Sequence, residues 1–322
     1  MRAIQLSAHG GPEVLEVADL PDPEPGPEEV VVQVAAAGVN FIDTYQRSGA
    51  YDIDLPGGLG LEGAGTVVAV GPKVSSRQVG DVVAWADTRG SYAERVAVPA
   101  GRCVRVPDGV STEDAAAVML QGMTAHYLTH STSALRTGDE VLVYAAAGGV
   151  GRLLVQLALR RGARVLAATS TPEKAEEVRS LGADEVLLYR DVDVAARVRE
   201  LTGGAGVDVV YDSVGRATFE TSLRCLRPRG LMVLYGASSG PVPPIDLQLL
   251  NRHGSLFVTR PSLFHHVATT DELEWRATSL FDLLRRGDLE LAIHERYPLV
   301  DAGRAHADLE SGTTAGKLLV VP

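Results

Sequence analysis

Short apolar runs alternate with polar residues and turn signals over residues 1–107. The clearest runs cover residues 29–37, 66–71, 79–86 and 94–98. Alternation at a period of two is typical of strands that bury one face. We therefore predict an antiparallel, barrel-like β-rich domain in this part of the chain.

The pattern changes at Thr112, where a hydroxyl residue and two acids precede a helical apolar repeat that extends to about Leu128. Six buried apolar runs with helical stretches between them then follow. These runs cover residues 141–144, 165–168, 186–188, 207–211, 231–235 and 256–258. Buried strands that alternate with helices predict a doubly wound parallel sheet, and hence an α/β protein.

The last part of the chain does not continue this alternation. We predict a helix over residues 271–286, a strand near Ile293, another helix and a final strand over residues 318–321. These elements are expected to return to the β-rich domain. The predicted domains are residues 1–122 with 265–322, and residues 123–264, with a ligand cleft between them.

Composition excludes several classes of partner. The formal net charge of −11 disfavours binding to the phosphate backbone of nucleic acids. No apolar run reaches the roughly 18 residues of a membrane span, and the first residues lack the pattern of a secretory signal. Two distant cysteines, Cys103 and Cys225, suit a reducing compartment. We expect a cytoplasmic protein without membrane or nucleic-acid partners.

A glycine-rich turn follows the first strand of the predicted parallel sheet. Its central residues are Gly148, Gly149, Val150 and Gly151, and a helix continues from them. Glycines allow close approach of the backbone to a ligand, and the start of a helix directs N–H donors at an anionic group. The position of this turn within a strand–helix alternation predicts a site for a dinucleotide pyrophosphate.

The end of the second strand indicates which dinucleotide is bound. An NAD site usually has an acidic residue there, whereas this chain has Ser170 and Thr171, followed by Lys174 in the first turn of the next helix. Lysine is rare here, with only Lys73, Lys174 and Lys317. We therefore expect Lys174, Ser170 and Thr171 to bind a 2′-phosphate, and the cofactor to be NADPH.

Five segments together resemble the quinone oxidoreductases related to zeta-crystallin, which are zinc-lacking members of the medium-chain dehydrogenase/reductase superfamily. The segments are residues 38–45 (GVNFIDTY), 58–65 (GLGLEGAG), 145–151 (AAAGGVG), 211–215 (YDSVG) and 258–263 (VTRPSL). The resemblance implies a GroES-like catalytic domain, a Rossmann domain, NADPH and quinone reduction. The positions that match cofactor contacts of the family are Asn40, Lys174, Tyr189, Ser213 and Tyr235.

The same resemblance implies that no zinc is bound. Asn40 and Leu61 stand where related alcohol dehydrogenases have a cysteine and a histidine as zinc ligands, and two cysteines cannot form a four-cysteine lobe. His126 and His130 are four residues apart on a predicted helix but lack a third ligand nearby. Glu62 remains from the metal-site motif, and we expect it to accept hydrogen bonds from backbone or arginine groups.

Without a Lewis acid, an acceptor that needs little activation is favoured, and a quinone meets this requirement. The residues predicted to line the cleft and act there are Asn40, Tyr45, Tyr51, Gln121 and Arg260, with Arg260 near the developing oxyanion. An NADPH-dependent enone or enoyl reductase, with Tyr45 or Tyr51 as proton donor, is the alternative enzyme. A non-catalytic NADPH-binding protein is the alternative from another class.

The sixth apolar run, residues 256–258, is predicted to form an edge of the parallel sheet. An unpaired apolar edge strand promotes association with another chain. We expect a homodimer that joins at this edge, which is also common in the family that the chain resembles.

Overall fold

The computed structural model describes all 322 residues, and the chain divides into two compact units. One unit comprises residues 1–123 and 266–322, and the other comprises residues 124–265. Each of these boundaries differs by one residue from the predicted boundary.

Eight strands and two helices precede the parallel sheet in the chain. They are β1 (Arg2–Leu6), β2 (Leu15–Asp19), β3 (Glu29–Val39), α1 (Phe41–Arg47), β4 (Gly57–Gly58), β5 (Glu62–Val70), β6 (Val82–Trp85), β7 (Arg95–Pro99), β8 (Val104–Arg105) and α2 (Thr112–Tyr127). A π-helical turn over Leu128–Thr132 follows α2. Strand β6 is shorter than predicted, because residues 79–81 form a turn rather than part of the strand.

Strand β3 is the centre of the β-rich unit. It pairs antiparallel with β5 on one side and with β7 and the last strand of the chain on the other. The strand is apolar and buried over most of its length, and Val30, Val32 and Val34 pack in one core with Trp85 and Tyr92. The predicted antiparallel pairing in this part of the chain is observed.

The middle of the chain supplies six strands and five helices. They are β9 (Glu140–Tyr144), α3 (Gly149–Arg160), β10 (Arg164–Thr169), α4 (Pro172–Ser180), β11 (Glu185–Leu188), α5 (Val194–Leu201), β12 (Val207–Asp212), α6 (Phe219–Cys225), β13 (Leu226–Leu234), α7 (Gln248–Arg252) and β14 (Phe257–Thr259).

These six strands form one parallel sheet in the order β11-β10-β9-β12-β13-β14. The first strand in sequence, β9, is central, and four of its five residues are buried. Parallel strands that are covered by helices on both faces require such continuous apolar sequences. The predicted doubly wound sheet is confirmed, and β14 is an edge strand as predicted.

The end of the chain returns to the β-rich unit. Its elements are α8 (Thr270–Arg285), β15 (Ile293–Pro298), α9 (Ala302–Ser311) and β16 (Lys317–Val321). Strand β16 pairs antiparallel with β3, with Leu318 opposite Val39, and β15 pairs parallel with β16. The predicted return of the carboxyl-terminal segment is therefore confirmed. None of the helices combines the length and the apolar composition that a membrane span requires.

Candidate active site

The glycine loop connects β9 to α3. Gly148 is the residue before the first helical residue, and its N–H donates to the carbonyl oxygen of Ala145 at 2.9 Å. A Cβ on Gly151 would lie 2.8 Å from Ala146 Cα and even closer to the Ala145 oxygen, so only glycine fits there. The first N–H groups of α3 have no acceptor within the helix. A tight loop that presents such donors fits a pyrophosphate.

The end of β10 carries the residues predicted to bind a 2′-phosphate. Thr171 caps α4, and its hydroxyl accepts a hydrogen bond from the Lys174 N–H at 3.4 Å. Burial lowers the pKa of Lys174, and the nearby Arg190 lowers it further, while Glu177 raises it. The Arg190 guanidinium also lies 6.0 Å from the ring centroid of Tyr189. Arg190 therefore lies near Tyr189 and acts electrostatically on Lys174, and the two cations suit an anion.

Glu177 limits how positive this region is. Its carboxylate forms a 2.9 Å ion pair with Arg152, a buried residue of α3. Sequence reasoning did not identify Arg152 or Arg190. Arg152 lies in α3 and Arg190 follows β11, so no local pattern connects them with Lys174.

Ser213 and Tyr235 lie at the carboxyl ends of the adjacent strands β12 and β13, as predicted. The buried Asp212 fixes the turn between β12 and α6, because it accepts hydrogen bonds from two backbone N–H groups and from the hydroxyls of Thr218 and Ser222. The Tyr235 N–H donates to the Asp212 carbonyl oxygen at 2.9 Å. Burial raises the pKa of Tyr235, although a hydrogen bond with Ser213 opposes this change. Tyr235 is therefore neutral at physiological pH.

In the β-rich unit, four side chains form a buried network that we call the amide cluster: Asn40, Glu62, Gln121 and Lys317. Asn40 Nδ2 donates to Glu62 Oε1 at 2.7 Å, while Asn40 Oδ1 accepts from Gln121 Nε2 at 3.1 Å and from Lys317 Nζ at 2.9 Å. Lys317 also forms an ion pair with Glu62. All four side chains are at most 7% exposed, so their polar groups depend on one another.

Of the two kinds of partner expected for Glu62, the backbone is present and arginine is not. No arginine pairs with it; its acceptors are used by the backbone N–H of Leu120 at 2.6 Å, by Asn40 and by Lys317. We predicted a functional role for Lys174 but none for Lys317. Lys317 is a cation at the first residue of an apolar strand, and this unusual position could have indicated its role.

A second buried network adjoins Asn40. Its N–H and the Tyr92 hydroxyl both donate to Asp43 Oδ2, at 2.8 Å and 2.9 Å. Burial raises the pKa of Asp43 to about 7, although these hydrogen bonds oppose the rise. His306 contacts Arg47 and Tyr92, and its pKa is lowered to about 3 by burial and by Arg47. Since Arg47 can only donate, Nδ1 of the neutral His306 accepts and Nε2 carries the proton.

Two of the residues predicted to line the cleft, Tyr45 and Tyr51, contact each other, with ring centroids 5.3 Å apart. Tyr51 is 43% exposed. Arg260 is exposed and follows β14 in the other unit. Asn40 contacts Gln121 as described, and the side-chain amide of Asn40 already forms hydrogen bonds with protein groups.

The two positions that correspond to zinc ligands in related alcohol dehydrogenases have residues with other contacts in this protein. Asn40 is bonded within the amide cluster, and Leu61 is a buried apolar residue. No group of three or more His, Cys, Asp or Glu side chains is arranged to hold a metal ion. His126 and His130 stack on each other, with ring centroids 4.0 Å apart.

A six-stranded parallel sheet with a glycine loop after its first strand, combined with a β-rich unit built from both ends of the chain, defines a nucleotide-dependent dehydrogenase or reductase. Two family models match accordingly: "Alcohol dehydrogenase GroES-like domain" over residues 26–108 and "Zinc-binding dehydrogenase" over residues 149–279. The chain belongs to the quinone oxidoreductase family within this class, which confirms the resemblance seen in the sequence.

The similar proteins are full-length relatives. A quinone oxidoreductase of Pseudomonas aeruginosa is 48% identical, with 100% of this chain and 99% of that protein covered. A 2-haloacrylate reductase of Burkholderia is 40% identical, with 99% and 98% covered. The crystal structure of Escherichia coli quinone oxidoreductase complexed with NADPH has 43% identity and a TM-score of 0.98, with 100% of each chain covered.

Proposed function

We propose that this protein is a zinc-independent NADPH:quinone oxidoreductase. The observation that carries the proposal is the glycine loop at Gly148–Gly151, where the packing of Gly151 forbids a side chain and leaves helix N–H groups for a pyrophosphate. Full-length similarity to quinone oxidoreductases, one of them complexed with NADPH, supports the same conclusion.

The residues proposed to hold NADPH come from six places in the chain. Gly148, Gly149, Val150 and Gly151 would bind the pyrophosphate, and Ser170, Thr171 and Lys174 the 2′-phosphate. Tyr189 would lie beside the adenosine, and Ser213, Tyr235 and Asn40 near the ribose and nicotinamide. The buried Thr169 hydroxyl, which has no partner in the protein, adds a polar group at the end of β10.

When bound, NADPH supplies a hydride, and this hydride together with one proton converts a quinone into a hydroquinone. The quinone gains aromaticity on reduction and therefore needs little polarisation by the protein. Tyr45 and Tyr51 would provide an aromatic surface for the ring, and Arg260 would stabilise negative charge on oxygen. The main role of the protein is to bind the two reactants, to orient them and to exclude water.

The test is NADPH oxidation with a panel of benzoquinones, naphthoquinones and 2-alkenals, measured with and without a chelator. The proposal predicts faster turnover of quinones and no effect of the chelator. Tight NADPH binding without oxidation by any acceptor would instead indicate a non-catalytic NADPH-binding protein. Loss of activity in the chelator would contradict zinc independence.

A second candidate function is reduction of an activated carbon–carbon double bond. The similarity to 2-haloacrylate reductase favours it, and a tyrosine could then protonate the enolate. If haloacrylates or enones react much faster than quinones, and Tyr45→Phe or Tyr51→Phe abolishes this activity, the second candidate replaces the first.

Lys174→Ala should raise the KM for NADPH by at least tenfold while changing that for NADH little, because only NADPH carries the 2′-phosphate. Steady-state kinetics with both cofactors measures this difference. Lys73→Ala, which changes an exposed lysine elsewhere, is the matched control. Equal effects on both cofactors would reject Lys174 as the 2′-phosphate ligand.

We also propose a cytoplasmic homodimer. Phe257 on the edge strand β14 is 62% exposed, and pairing of two such edges would cover it. The absence of a disulfide pattern among two buried free cysteines suits a reducing compartment.

A further inference from the structure

Glu177 contacts one cation and neighbours another. Its carboxylate Oε2 lies 2.9 Å from Nη1 of Arg152, which belongs to α3. Lys174 is three residues earlier on α4, and residues at this spacing are neighbours on the surface of a helix. The side chain of Glu177 is 44% exposed, whereas that of Arg152 is only 6% exposed. A surface carboxylate next to Lys174 is therefore held by a buried cation.

Arg152 occupies an unfavourable position for a cation. It follows Gly151 directly and lies in the first turn of α3, where the helix dipole opposes positive charge. A buried charge is also costly unless an opposite charge compensates it. Helix α3 contains no acidic residue, so it cannot provide that charge itself. The Glu177 carboxylate of α4 provides a compensating charge, and the two side chains constrain each other.

The charge of Glu177 also acts on Lys174. Burial lowers the pKa of Lys174, Glu177 opposes this change, and Arg190 adds to it. A phosphate monoester has a charge of about −1.5 to −2 at neutral pH, so a carboxylate next to Lys174 repels a phosphate bound there. Because the Arg152 guanidinium offsets the carboxylate charge, the ion pair reduces this repulsion.

We propose that Glu177 is a specificity-determining residue, which weakens the preference for a 2′-phosphorylated nucleotide, and that Arg152 is a positioning residue, which limits this effect by holding the carboxylate. The inference rests on the proposed function, in which Lys174 binds the 2′-phosphate. Every residue that it uses lies in the unit of residues 124–265. The ion pair thereby adjusts the ratio of the affinities for NADPH and NADH.

The experiment measures dissociation constants by isothermal titration calorimetry for adenosine 2′,5′-bisphosphate and adenosine 5′-phosphate with the full-length protein. The two ligands differ only in the 2′-phosphate, so the ratio of their affinities reports the contacts of that group. Glu177→Gln should tighten binding of the bisphosphate about threefold, and Arg152→Met should weaken it about threefold, as expected for one charge at a partly exposed site. Binding of adenosine 5′-phosphate should stay unchanged in both variants.

The opposite signs separate this proposal from a structural role of the ion pair. Both single variants break the same ion pair, so damage to the fold alone would change the affinity in the same direction in both, and for both ligands. Shifts in the same direction, or equal shifts for the two ligands, would overturn the proposal.

The double variant Arg152→Met/Glu177→Gln removes the effect of folding from the comparison. In the background of Arg152→Met, the change at Glu177 can no longer break the ion pair or leave a buried cation without its partner. The double variant should therefore bind the bisphosphate about threefold more tightly than Arg152→Met alone. Equal affinities in these two variants would show that the carboxylate has no effect on the 2′-phosphate.

Glu176→Gln is the matched control on the same helix. Its side chain is 81% exposed and pairs with Arg179 at 3.2 Å, and residues two apart on a helix do not face each other. This variant has the same net charge as Glu177→Gln but should bind both ligands like the wild type. An equal gain in Glu176→Gln would mean that net charge, and not the position of Glu177, changes the affinity.

Ionic strength and catalysis provide the remaining tests. The effects of the single variants should shrink at about 1 M KCl, where the screening length falls to about 3 Å. The wild-type protein is assayed in parallel for NADPH-dependent quinone reduction. If it reduces no quinone while the single variants still shift in opposite directions, the proposed function fails and this inference stands. A wild type that binds the bisphosphate no more tightly than adenosine 5′-phosphate would overturn the inference.

Discussion

Gly38 lies opposite Glu62 in the register of β3 and β5. A Cβ at this position would lie 2.7 Å from Lys317 Cε and closer still to Glu62 Oε1. A glycine is therefore required here by the close approach of the buried ion pair, and not by a special backbone angle. The side chains of the amide cluster therefore pack directly against the backbone of β3.

Gly38→Ala should displace the ion pair and destabilise the protein by roughly 2–4 kcal/mol, because overpacking and disturbance of a buried pair act together. Denaturant unfolding measures the loss. Gly101→Ala is the control, since its Cβ would meet only Thr270 Oγ1 at 3.5 Å. A Gly38→Ala variant as stable as the Gly101→Ala variant would contradict this packing argument.

The ionisation of Asp43 should measurably change the free energy of unfolding. Burial raises its pKa from 3.8 to about 7, so the folded protein keeps a proton that the unfolded chain releases near pH 4. The free energy of unfolding therefore falls as the pH rises from about 4 to about 7, on the order of 4 kcal/mol in total.

Asp43→Asn should remove this pH dependence, because an amide does not titrate. The measurement is the free energy of unfolding by denaturant at several pH values between 4 and 8. Asp52→Asn, which changes an exposed carboxylate nearby in sequence, should keep the wild-type slope. An unchanged slope in Asp43→Asn would show that other groups cause the pH dependence.

At the level of helices and strands, the loop between β9 and α3 combines tight packing with exposed donors. Ala145 adopts a left-handed conformation with φ of 49°, which is costly for a residue other than glycine. The next turn brings Gly151 against Ala146. The start of α3 is therefore held close to the end of β9, and its N–H groups keep a defined direction.

Gly151→Ala should shift the start of α3 and weaken NADPH binding by at least tenfold, as measured by fluorescence titration. Gly148→Ala offers a graded comparison, because its Cβ would lie 3.2 Å from the Ala145 oxygen, and its loss should be smaller. Melting temperatures without ligand separate misfolding from lost affinity. Similar affinities in both variants and the wild type would exclude this loop as the pyrophosphate site.

For the whole molecule, the strand order of the parallel sheet leaves β14 at one edge. Phe257 and Val258 are both exposed in the single chain. Such an edge is aggregation-prone unless it is covered. The proposed homodimer, with paired β14 strands, would cover it in both copies.

Phe257→Glu should therefore convert the dimer into a monomer, because two carboxylates would be brought together across the symmetric contact. Light scattering after size-exclusion chromatography measures the mass. Val79→Glu, at another exposed apolar residue that is 60% accessible, should remain dimeric. A monomeric wild-type protein would reject the dimer itself.

Local signals were sufficient for the alternation of strands and helices in the parallel sheet and for the glycine loop. Each depends on neighbouring residues, namely the spacing of apolar positions and a turn that requires glycine. For the same reason the predicted strand ends were less accurate, as at β6, where burial and not composition decides the boundary.

The amide cluster could be recognised only in the folded protein. Lys317 and Glu62 are 255 residues apart, and His306 and Arg47 are 259 residues apart. The first of these contacts exists because β16 pairs with β3 and β3 pairs with β5, so that the start of β16, the start of β5 and the end of β3 meet; the second joins α9 to α1. Local chemistry along the chain specifies the elements, whereas strand pairing selects which distant charges are buried together.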